Sequence, residues 1–462
     1  MHQVALKHGN AYMREYLPAG KWQNISDLGT MNAWPDQRQH PSHQASISSD
    51  LGLRFKECDW VLKGIIAKFT MAATEIAMAK QCIHELEQAA LELGSRWRVK
   101  PFGGVGNGFA SRGSDLDATC YIEGMEVSYT PLATQELQTQ LLPLLQKHRR
   151  FEVIDQIWTA RVPILKLRFD QQLDVDLSCH NTEALPNTQL LRAYAELSPQ
   201  VRELGLLIKV WAKGEGVCGA SRGYLSSYAL TLMAIYYLQV DPQVNIPCVP
   251  AGLFSNRHGT FPKDRKAWKC PLPTQVLLGR FFRFYATEFQ WFTEVVSVRH
   301  GRRASAAEPV YDQLGASLAP RLHIEDPFLT ARNLHCVLGL EQECIFYAKL
   351  CQAAEATQNG RLPAGLACSA CSLGQEVPGG LRVGASAGAS PPPPLVASTK
   401  GARPALLPVG QGEGGRQAGS KPDGKKAETY GTGSTCDGDA SGAPRSDGPR
   451  PDGVPMTLLH VS

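Results

Sequence analysis

The chain has 462 residues, 43% of them hydrophobic, and a formal net charge of +4. This length predicts two or three domains, and the mild charge excludes a globally cationic nucleic-acid-binding protein. Thirteen scattered Cys indicate reduced thiols and an intracellular, cytoplasmic protein, with nuclear and organellar locations left open. No apolar run is long enough to span a membrane, and residues 1–50 are expected to be a poorly ordered lead-in without a secretion signal.

Residues 51–186 are predicted to form an α+β unit around a mixed sheet. Apolar residues recur at helical spacing from Leu51 to Leu93, which predicts one or two long helices. A further amphipathic helix is predicted at Pro131–His148. The predicted strands are Trp97–Phe102, Leu116–Ile122, Phe151–Trp158, Val162–Phe169 and Gln172–Leu177.

The first chemical signal is the stretch Phe102–Asp117, which reads FGGVGNGFASRGSDLD. Side chains alternate along a strand, so Asp115 and Asp117 share one face, roughly 7 Å apart, and suit a hard cation such as Mg²⁺. The glycines upstream allow backbone N–H groups to approach a phosphate. Dinucleotide and P-loop motifs are excluded because Phe109 and Ser114 occupy required glycine and lysine positions. A surface turn ending in a solvated acidic pair is the alternative.

A second acidic pair, Asp174 and Asp176, lies on one face of the last predicted strand, LDVDLS. If at least one of them joins the first pair at the sheet edge, three carboxylates can hold two metal ions for an in-line displacement. Solvent-facing strand positions are the alternative, but carboxylates are disfavoured in strands. The two pairs together favour a metal site.

Residues 187–359 are predicted to form a mostly helical domain. The predicted helices are Thr188–Leu197, Val201–Lys213, Gly223–Gln239, Gln275–Val298 and Arg332–Gln352. Between them, Arg257–Lys269 combines basic and aromatic residues that suit RNA phosphates and stacked bases, but a solvated loop is the favoured explanation because charged loops are common.

Residues 360–462 hold 20 of the 43 Gly and 13 of the 31 Pro, with Tyr430 as their one aromatic residue. Such a composition cannot bury enough apolar surface to offset chain entropy, so this segment is predicted to be disordered. It carries a single CxxC, Cys368 and Cys371, and zinc binding is not expected without a second pair.

The assembled motifs resemble the non-templated RNA nucleotidyltransferases, the terminal uridylyltransferases and non-standard poly(A) polymerases. They occur in the family's order: FGGVGNGFASRGSDLD, VDLSCHNTEALPNTQLLRAY, LLIKVWAKGEGVCGASRGYLSSYALTLMAIYYLQ and IEDPFLTARNL. The resemblance implies a polymerase-β-like catalytic domain over 51–186, joined to a helical central, poly(A)-polymerase-associated domain over 187–359. It places the active site in the cleft between them.

The resemblance also implies a set of site residues. The expected ligands of Mg²⁺ or Mn²⁺ are Asp115, Asp117 and Asp176, whereas Asp174 falls outside the triad. The expected nucleotide-binding residues are Gly103 and Gly104 in the phosphate-binding turn, Asn181 and Thr188 at the sugar and base, Lys209 and Lys213 at the triphosphate, and Ser227 and Tyr228 at phosphate and base.

Two residues depart from the family pattern. The turn usually reads Gly-Ser, whereas this chain has Gly103-Gly104 and lacks one hydroxyl contact to phosphate. Arg332 stands where uridylyltransferases of the family often carry the His that helps select uracil. A guanidinium only donates hydrogen bonds, so a base-contacting Arg332 favours UTP, whereas an Arg332 turned away leaves ATP equally acceptable.

The predicted function is therefore template-independent addition of nucleotides, UMP in preference to AMP, to RNA 3′ ends by two-metal nucleotidyl transfer. A non-standard poly(A) polymerase using ATP is the first alternative. An inactive RNA-binding scaffold of the same fold and a small-molecule nucleotidyltransferase are the others. The expected partners are an RNA 3′ end and UTP or ATP, with no membrane. Protein partners and the oligomeric state stay open.

Overall fold

The computed structural model describes residues 56–125, 130–255, 268–315 and 321–371. The predicted lead-in, most of the basic stretch Arg257–Lys269 and the chain after residue 371 lie outside these ranges. No helix of the described part is long and apolar enough to cross a membrane.

A five-stranded mixed sheet forms the first half of the described chain, as predicted. Its strands are β1 (Trp97–Pro101), β2 (Leu116–Ile122), β3 (Phe151–Ile157), β4 (Ile164–Phe169) and β5 (Leu173–Cys179). They lie in the order β1-β2-β5-β4-β3, with β2 and β5 parallel and the other neighbours antiparallel. The parallel pair aligns the two predicted acidic strands side by side.

One face of the sheet is covered by helices. The helices of this half are α1 (Lys56–Phe69), α2 (Ala73–Leu91), α3 (Gly103–Asn107), α4 (Thr130–Glu136) and α5 (Leu142–Lys147), with a π-helical turn at Leu137–Leu141 joining the last two. Ala118 and Leu177 point into the core beside Leu86 of α2 and Leu137 of the π turn. Because side chains alternate, this apolar face leaves Asp117 and Asp176 on the other side.

The second half of the described chain is mostly helical. Its helices are α6 (Ala184–Ala195), α7 (Pro199–Gly214), α8 (Ser227–Val240), α9 (Thr274–Arg283), α10 (Leu340–Gln358) and α11 (Ala364–Cys371). A large aromatic core surrounds α7 and α8, where Trp211, Tyr236 and Phe281 are fully buried. This core lies apart from the core of the sheet.

Helix α1 packs into the helical core, although the sequence boundary at residue 51 groups it with the sheet. Its buried residues Val61, Leu62 and Ile65 belong to the cluster that contains Trp211. Phe109, from the glycine-rich stretch, also lies in that cluster. These two segments therefore do not pack with their neighbours in sequence. Both bury their apolar side chains against helices that come later in the chain.

The predicted helix Gln275–Val298 is too long. Helix α9 continues only through a π-helical turn, Phe284–Glu288, after which the backbone becomes extended. The β-branched pair Val295–Val296 forms a short strand, β6, parallel to β7 (His323–Ile324). Both valines are fully buried, and β-branched residues pack well in strands.

The described part of the predicted disordered tail contains a helix. Residues 361–371 include α11, where Leu366 is fully buried, and the backbone N–H of Gly365 donates to Glu215 Oε1 at 2.7 Å. A Cβ on Gly365 would lie 2.5 Å from the carbonyl oxygen of Trp211, so α11 and α7 approach through bare backbone. Disorder was therefore a wrong prediction for 361–371, because a glycine contact lets a short, small-residue helix dock.

Candidate active site

The sheet brings the predicted aspartates to one edge. Asp117 on β2 and Asp176 on β5 are directly paired residues of the parallel ladder, and Asp115 precedes β2 at an exposed position. Burial, followed by the charges of Asp115 and Asp176, raises the pKa of Asp117 to about 7. The carboxylates therefore repel one another in a partly desolvated place, which is where a divalent cation would be stabilised.

Lys166 on β4 forms an ion pair with the carboxylate of Asp176. Its ammonium lies 3.0 Å from Oδ1 and 3.3 Å from Oδ2 of that carboxylate, and the contact raises the pKa of Lys166. Asp174 pairs instead with Arg168 at 2.8 Å, and its side chain is 62% exposed. The structure thus separates the second acidic pair into one residue beside Asp117 and one in solvent.

The described residues also hold a second, buried group of metal-compatible side chains. The ligand atoms of Glu136, Cys179 and His180 all lie within 4.8 Å of one another, a spacing that the three aspartates do not reach in the described part of the chain. Glu136 Oε2 lies 2.6 Å from His180 Nε2 and accepts from Cys179 Sγ at 3.6 Å. This group lies under the end of β5, on the opposite side from Asp176.

The glycine-rich stretch forms the short helix α3 rather than an open turn. Gly103 has φ +62°, and a Cβ there would lie 2.0 Å from Asp117 Oδ2. At Gly104 a Cβ would make only ordinary contact with Ala110, at 3.4 Å or more. The first glycine is therefore required by the aspartate, whereas the second position has room for a side chain.

A cavity of about 470 Å³ opens beside the aspartates, between the sheet and the helical half. It lies within the size range of small-molecule sites. The predicted residues that line it are Gly103, Gly104, Asp117, Asn181, Thr188, Lys209, Ser227, Tyr228 and Arg332. Asp115 borders a separate groove, and neither Asp176 nor Lys213 is among the lining residues.

Lys209 connects the helical half to the glycine-rich stretch. Its buried ammonium donates to the carbonyl of Phe109 at 2.7 Å. Burial, followed by the neighbouring Lys213, lowers the pKa of Lys209 to about 8. Lys213 itself is exposed at the last turn of α7. The cavity thus contains a cation that an anionic ligand would stabilise.

The lining residues that the sequence did not predict include Asn187, Ser226 and Arg161. Asn187 Oδ1 accepts from the hydroxyl of Tyr228 at 2.7 Å, and Ser226 caps α8 by accepting from the backbone N–H of Ala229. Arg161 reaches the cavity from the connection between β3 and β4. Two of them had a sequence signal that could have found them. Asn187 lies next to Thr188, and Ser226 has the N-cap pattern before an apolar helix.

The polar group of Thr188 is used inside its own helix. Its hydroxyl donates to the carbonyl of Ala184 at 2.8 Å. Its methyl group packs on Gly106, where a Cβ would lie 2.8 Å away. Thr188 therefore exposes little of its side chain to the cavity, and its methyl group packs α6 closely against α3.

Arg332 lines the cavity from the helical half, in the loop after β7. Its Nη1 is 3.6 Å from Oδ2 of the fully buried Asp326, and its side chain is 44% exposed. Burial raises the pKa of Asp326, and its Oδ2 accepts no hydrogen bond from the residues that the structure describes. The adjacent carboxylate of Glu325 pairs instead with Arg299 and Ser297.

Comparison with known proteins finds one family match in the sheet half of the chain and another in the helical half. Residues 61–196 match the central palm domain of mitochondrial-like poly(A) RNA polymerase, and residues 275–332 match the Cid1 family poly(A) polymerase domain. The resemblance to the non-templated RNA nucleotidyltransferases is confirmed. Both family matches contain residues that line the cavity, Asp117 in the first and Arg332 in the second.

The named relatives of this chain include both a poly(A) polymerase and a terminal uridylyltransferase. Poly(A) RNA polymerase GLD2-A of Xenopus laevis is 35% identical over 236 residues, covering 48% of this chain and 45% of the relative. Terminal uridylyltransferase 4 of Homo sapiens is 32% identical over 302 residues, covering 61% of this chain and 18% of the relative. The chain thus spans less than half the length of either.

Solved structures show the same fold. A mutant of the Cid1 poly(U) polymerase bound to MgATP matches with a TM-score of 0.55 and 23% identity, covering 65% of this chain and 94% of that one. A cytoplasmic RNA terminal U-transferase matches with a TM-score of 0.54 and 24% identity, covering 67% and 96%. The predicted polymerase-β-like fold with a mixed sheet and a helical half is confirmed.

Proposed function

We propose that this chain is an RNA 3′-terminal nucleotidyltransferase that adds nucleotides without a template and uses UTP in preference to ATP. The observation that carries the proposal is one cavity with Asp117 on its sheet wall and Lys209, Tyr228 and Arg332 on its helical wall. The proposal includes a catalytic domain built on the sheet and a central helical domain from residue 187, to which α1 contributes.

The acidic edge fits a divalent cation. Asp115, Asp117 and Asp176 offer carboxylate oxygens, which are the ligands that Mg²⁺ prefers, and the raised pKa of Asp117 marks uncompensated negative charge. Mg²⁺ or Mn²⁺ bound there would polarise the α-phosphate and favour ionisation of the RNA 3′-hydroxyl. Asp176 must exchange its contact with Lys166 before it can act as a ligand.

The cavity residues position the nucleotide. Lys209, with Lys213 one turn away, would bind the triphosphate through its ammonium group. The ring of Tyr228 would stack on the base, and Asn187 fixes that ring by accepting a hydrogen bond from the Tyr228 hydroxyl. Asn181 would contact the ribose from the end of β5. These contacts hold the α-phosphate next to the aspartates, where the RNA 3′-oxygen attacks and pyrophosphate leaves.

Two other functions compete with this proposal. A poly(A) polymerase has the same geometry, and the relatives include both activities. The donor set of Arg332 supports UTP, because a guanidinium can donate to uracil O4 but cannot accept from the adenine amino group. An inactive RNA-binding scaffold is less favoured, because it gains nothing from mutually repelling, half-buried carboxylates such as Asp117 and Asp176.

The test is extension of a labelled oligo-RNA by the purified full chain with each NTP separately, in Mg²⁺ or in Mn²⁺, read as product length on a gel. We expect added nucleotides with UTP, fewer with ATP, and none after chelation of divalent cations. Asp117→Asn serves as the matched inactive control. A wild-type protein that binds RNA but adds no nucleotide under any condition would instead support the scaffold.

A further inference from the structure

We infer that the buried pair Glu136 and His180 is a positioning device that turns Asn181 into the nucleotide cavity. This inference rests on the proposed function, since it assigns the support of one ribose contact in that site. None of the motifs singled out in the sequence includes Glu136, and the pair lies under the sheet rather than in the cavity.

The alternation of β5 explains why a device is needed. Val175, Leu177 and Cys179 point into the core, whereas Asp176 and Ser178 lie on the catalytic face. If the strand continued in extended form, residue 180 would follow Asp176 onto the catalytic face and residue 181 would follow Cys179 into the core. The observed arrangement is the reverse of this.

The reversal occurs at His180, which has φ +55°. Its ring is 2% exposed and lies beside Trp97 on the core side, with ring centroids 6.0 Å apart. Asn181 then lines the cavity, and its backbone N–H donates to Thr119 Oγ1 at 3.1 Å. The left-handed residue thus exchanges the faces of the two side chains. This backbone conformation is uncommon for a residue other than glycine and requires support from its surroundings.

Glu136 supplies that support from outside the strand. It is the last residue of α4, immediately before the π-helical turn, and its Oε2 lies 2.6 Å from His180 Nε2. The same oxygen accepts from Cys179 Sγ, so both residues at the end of β5 are bound to one buried carboxylate. On the backbone side, the N–H of His180 donates to the carbonyl of Cys120 at 2.7 Å. With the ring held in the core, Asn181 has only the catalytic face to occupy.

The test measures equilibrium binding of UTP and 2′-deoxy-UTP to the full chain without RNA, and so does not depend on turnover. The variants are His180→Val, which disfavours positive φ and removes the pair; Glu136→Ala, which removes only the anchor; and Glu136→Gln, which keeps an acceptor for the ring. Asn181→Ala, alone and combined with each of the first two, completes the set. Thermal melting identifies any variant that fails to fold.

We expect wild type and Glu136→Gln to prefer UTP over 2′-deoxy-UTP by roughly fivefold, the worth of one hydrogen bond. His180→Val, Glu136→Ala and Asn181→Ala should each bring this ratio close to one. The double variants should be no worse than Asn181→Ala, because all three changes remove the same contact.

Losses that multiply in the double variants would overturn the inference, because they would show that the pair acts independently of Asn181. A folded Glu136→Ala that keeps the wild-type ratio, or a wild-type ratio near one, would overturn it as well. Failure of the proposed function has a different signature, since the chain would then add no nucleotide to RNA whatever the binding ratios are.

Discussion

The two walls of the cavity are built by different means. On the sheet wall, the parallel ladder of β2 and β5 fixes the position of Asp117 beside Asp176 through backbone hydrogen bonds. On the helical wall, Arg332 extends from a loop, is 44% exposed, and its Nη1 lies 3.6 Å from Asp326 Oδ2. On the proposed function, the chemistry that every nucleotide requires would be held by the sheet, whereas discrimination between bases would depend on a half-exposed side chain.

The walls also carry opposite charges whose mutual attraction does not offset the effects of burial and like-charge repulsion. Asp117 has its pKa raised to about 7 by burial and by its carboxylate neighbours, and Lys209 has its pKa lowered to about 8 by burial and by Lys213. Each shift disfavours the charged form that nucleotide transfer would use. On the proposed function, the ligand would bring cations to one wall and phosphates to the other, at some cost to the stability of the empty protein.

The largest effect is expected on the sheet wall, from Asp117→Asn. Loss of a metal ligand should reduce RNA extension by roughly a thousandfold or more, since metal stabilisation of the transition state is worth several kcal/mol. The same change should raise the melting temperature measured without divalent cations, because it removes repulsion with Asp115 and Asp176. A near wild-type extension rate would show that the metal assignment is wrong.

The stability change should also depend on pH. The pKa of Asp117 is about 7 in the folded protein against an ordinary value of 3.8, so the folded state binds the proton more tightly. Wild-type stability should therefore fall as the pH rises from about 4 to about 7, and Asp117→Asn should lack this component. Parallel curves for the two proteins in that window would contradict the raised pKa.

On the helical wall, Lys209→Met should lower kcat/KM for the nucleotide by roughly 10- to 100-fold, the worth of a charged hydrogen bond. Lys213→Met is the matched control, since that ammonium is exposed and one turn away. Wild-type kcat/KM should decrease as the pH rises through about 8, where Lys209 loses its proton, and Lys209→Met should not show this decrease. Equal losses from both variants would mean that burial does not distinguish the two lysines.

The difference in how the two walls are built also explains how much of each could be predicted from the sequence. The period of two in SDLD and LDVDLS predicted that Asp115 shares a face with Asp117 and that Asp174 shares a face with Asp176, because strand geometry leaves little choice. It could not show that Lys166 from a third strand would bind Asp176, since pairing between strands is a tertiary property. On the helical wall, the motif positions predicted Tyr228 and Lys209, but not the hydrogen bond from Tyr228 to Asn187.

Long-range packing explains the remaining misses. Helix α11 lies in a Gly- and Pro-rich segment whose composition predicts disorder, yet Gly365 meets the backbone of α7 closely. The helix predicted through Val298 ends at Glu288, because the β-branched residues after it pair with β7. The turn at His180 was also invisible, since positive φ at a histidine has no sequence signal.

Helix α11 provides a test of the helical half alone. Truncation after Gly360 removes Leu362 and Leu366, which are 7% and 0% exposed, and should lower the melting temperature by about 5–10 °C. Truncation after Cys371 is the matched control and should leave it nearly unchanged, as the composition of the remaining tail indicates. Equal melting temperatures for the two truncations would show that α11 adds no stability.

A smaller effect is expected from Arg332→Ala. If Arg332 donates to uracil O4, its removal should shift the UTP:ATP preference toward ATP by roughly tenfold, with little change in the summed rate. Arg161→Ala is the control, because Arg161 lines the same cavity from the sheet side. The ratio is measured by competition between the two nucleotides in one reaction. A ratio unchanged in Arg332→Ala would place the choice of base elsewhere on the helical wall.

The smallest effect should come from Gly104→Ser, which restores the hydroxyl that the family usually has in this turn. A Cβ at Gly104 makes only ordinary contact with Ala110, so the serine should fit without moving α3. Its hydroxyl can donate to a phosphate oxygen, and we expect kcat/KM for the nucleotide to rise by roughly two- to tenfold. Melting temperature should not change.

Gly103→Ser is the control that makes this test specific to one glycine. There a Cβ would lie 2.0 Å from Asp117 Oδ2, and φ is +62°, so the same hydroxyl should displace the aspartate and abolish extension. Opposite outcomes at adjacent positions would show that the sheet wall tolerates change only where it does not touch Asp117. If both variants lose activity equally, the turn is tighter than its geometry indicates, and Gly-Gly is then a requirement of this chain rather than a lost contact.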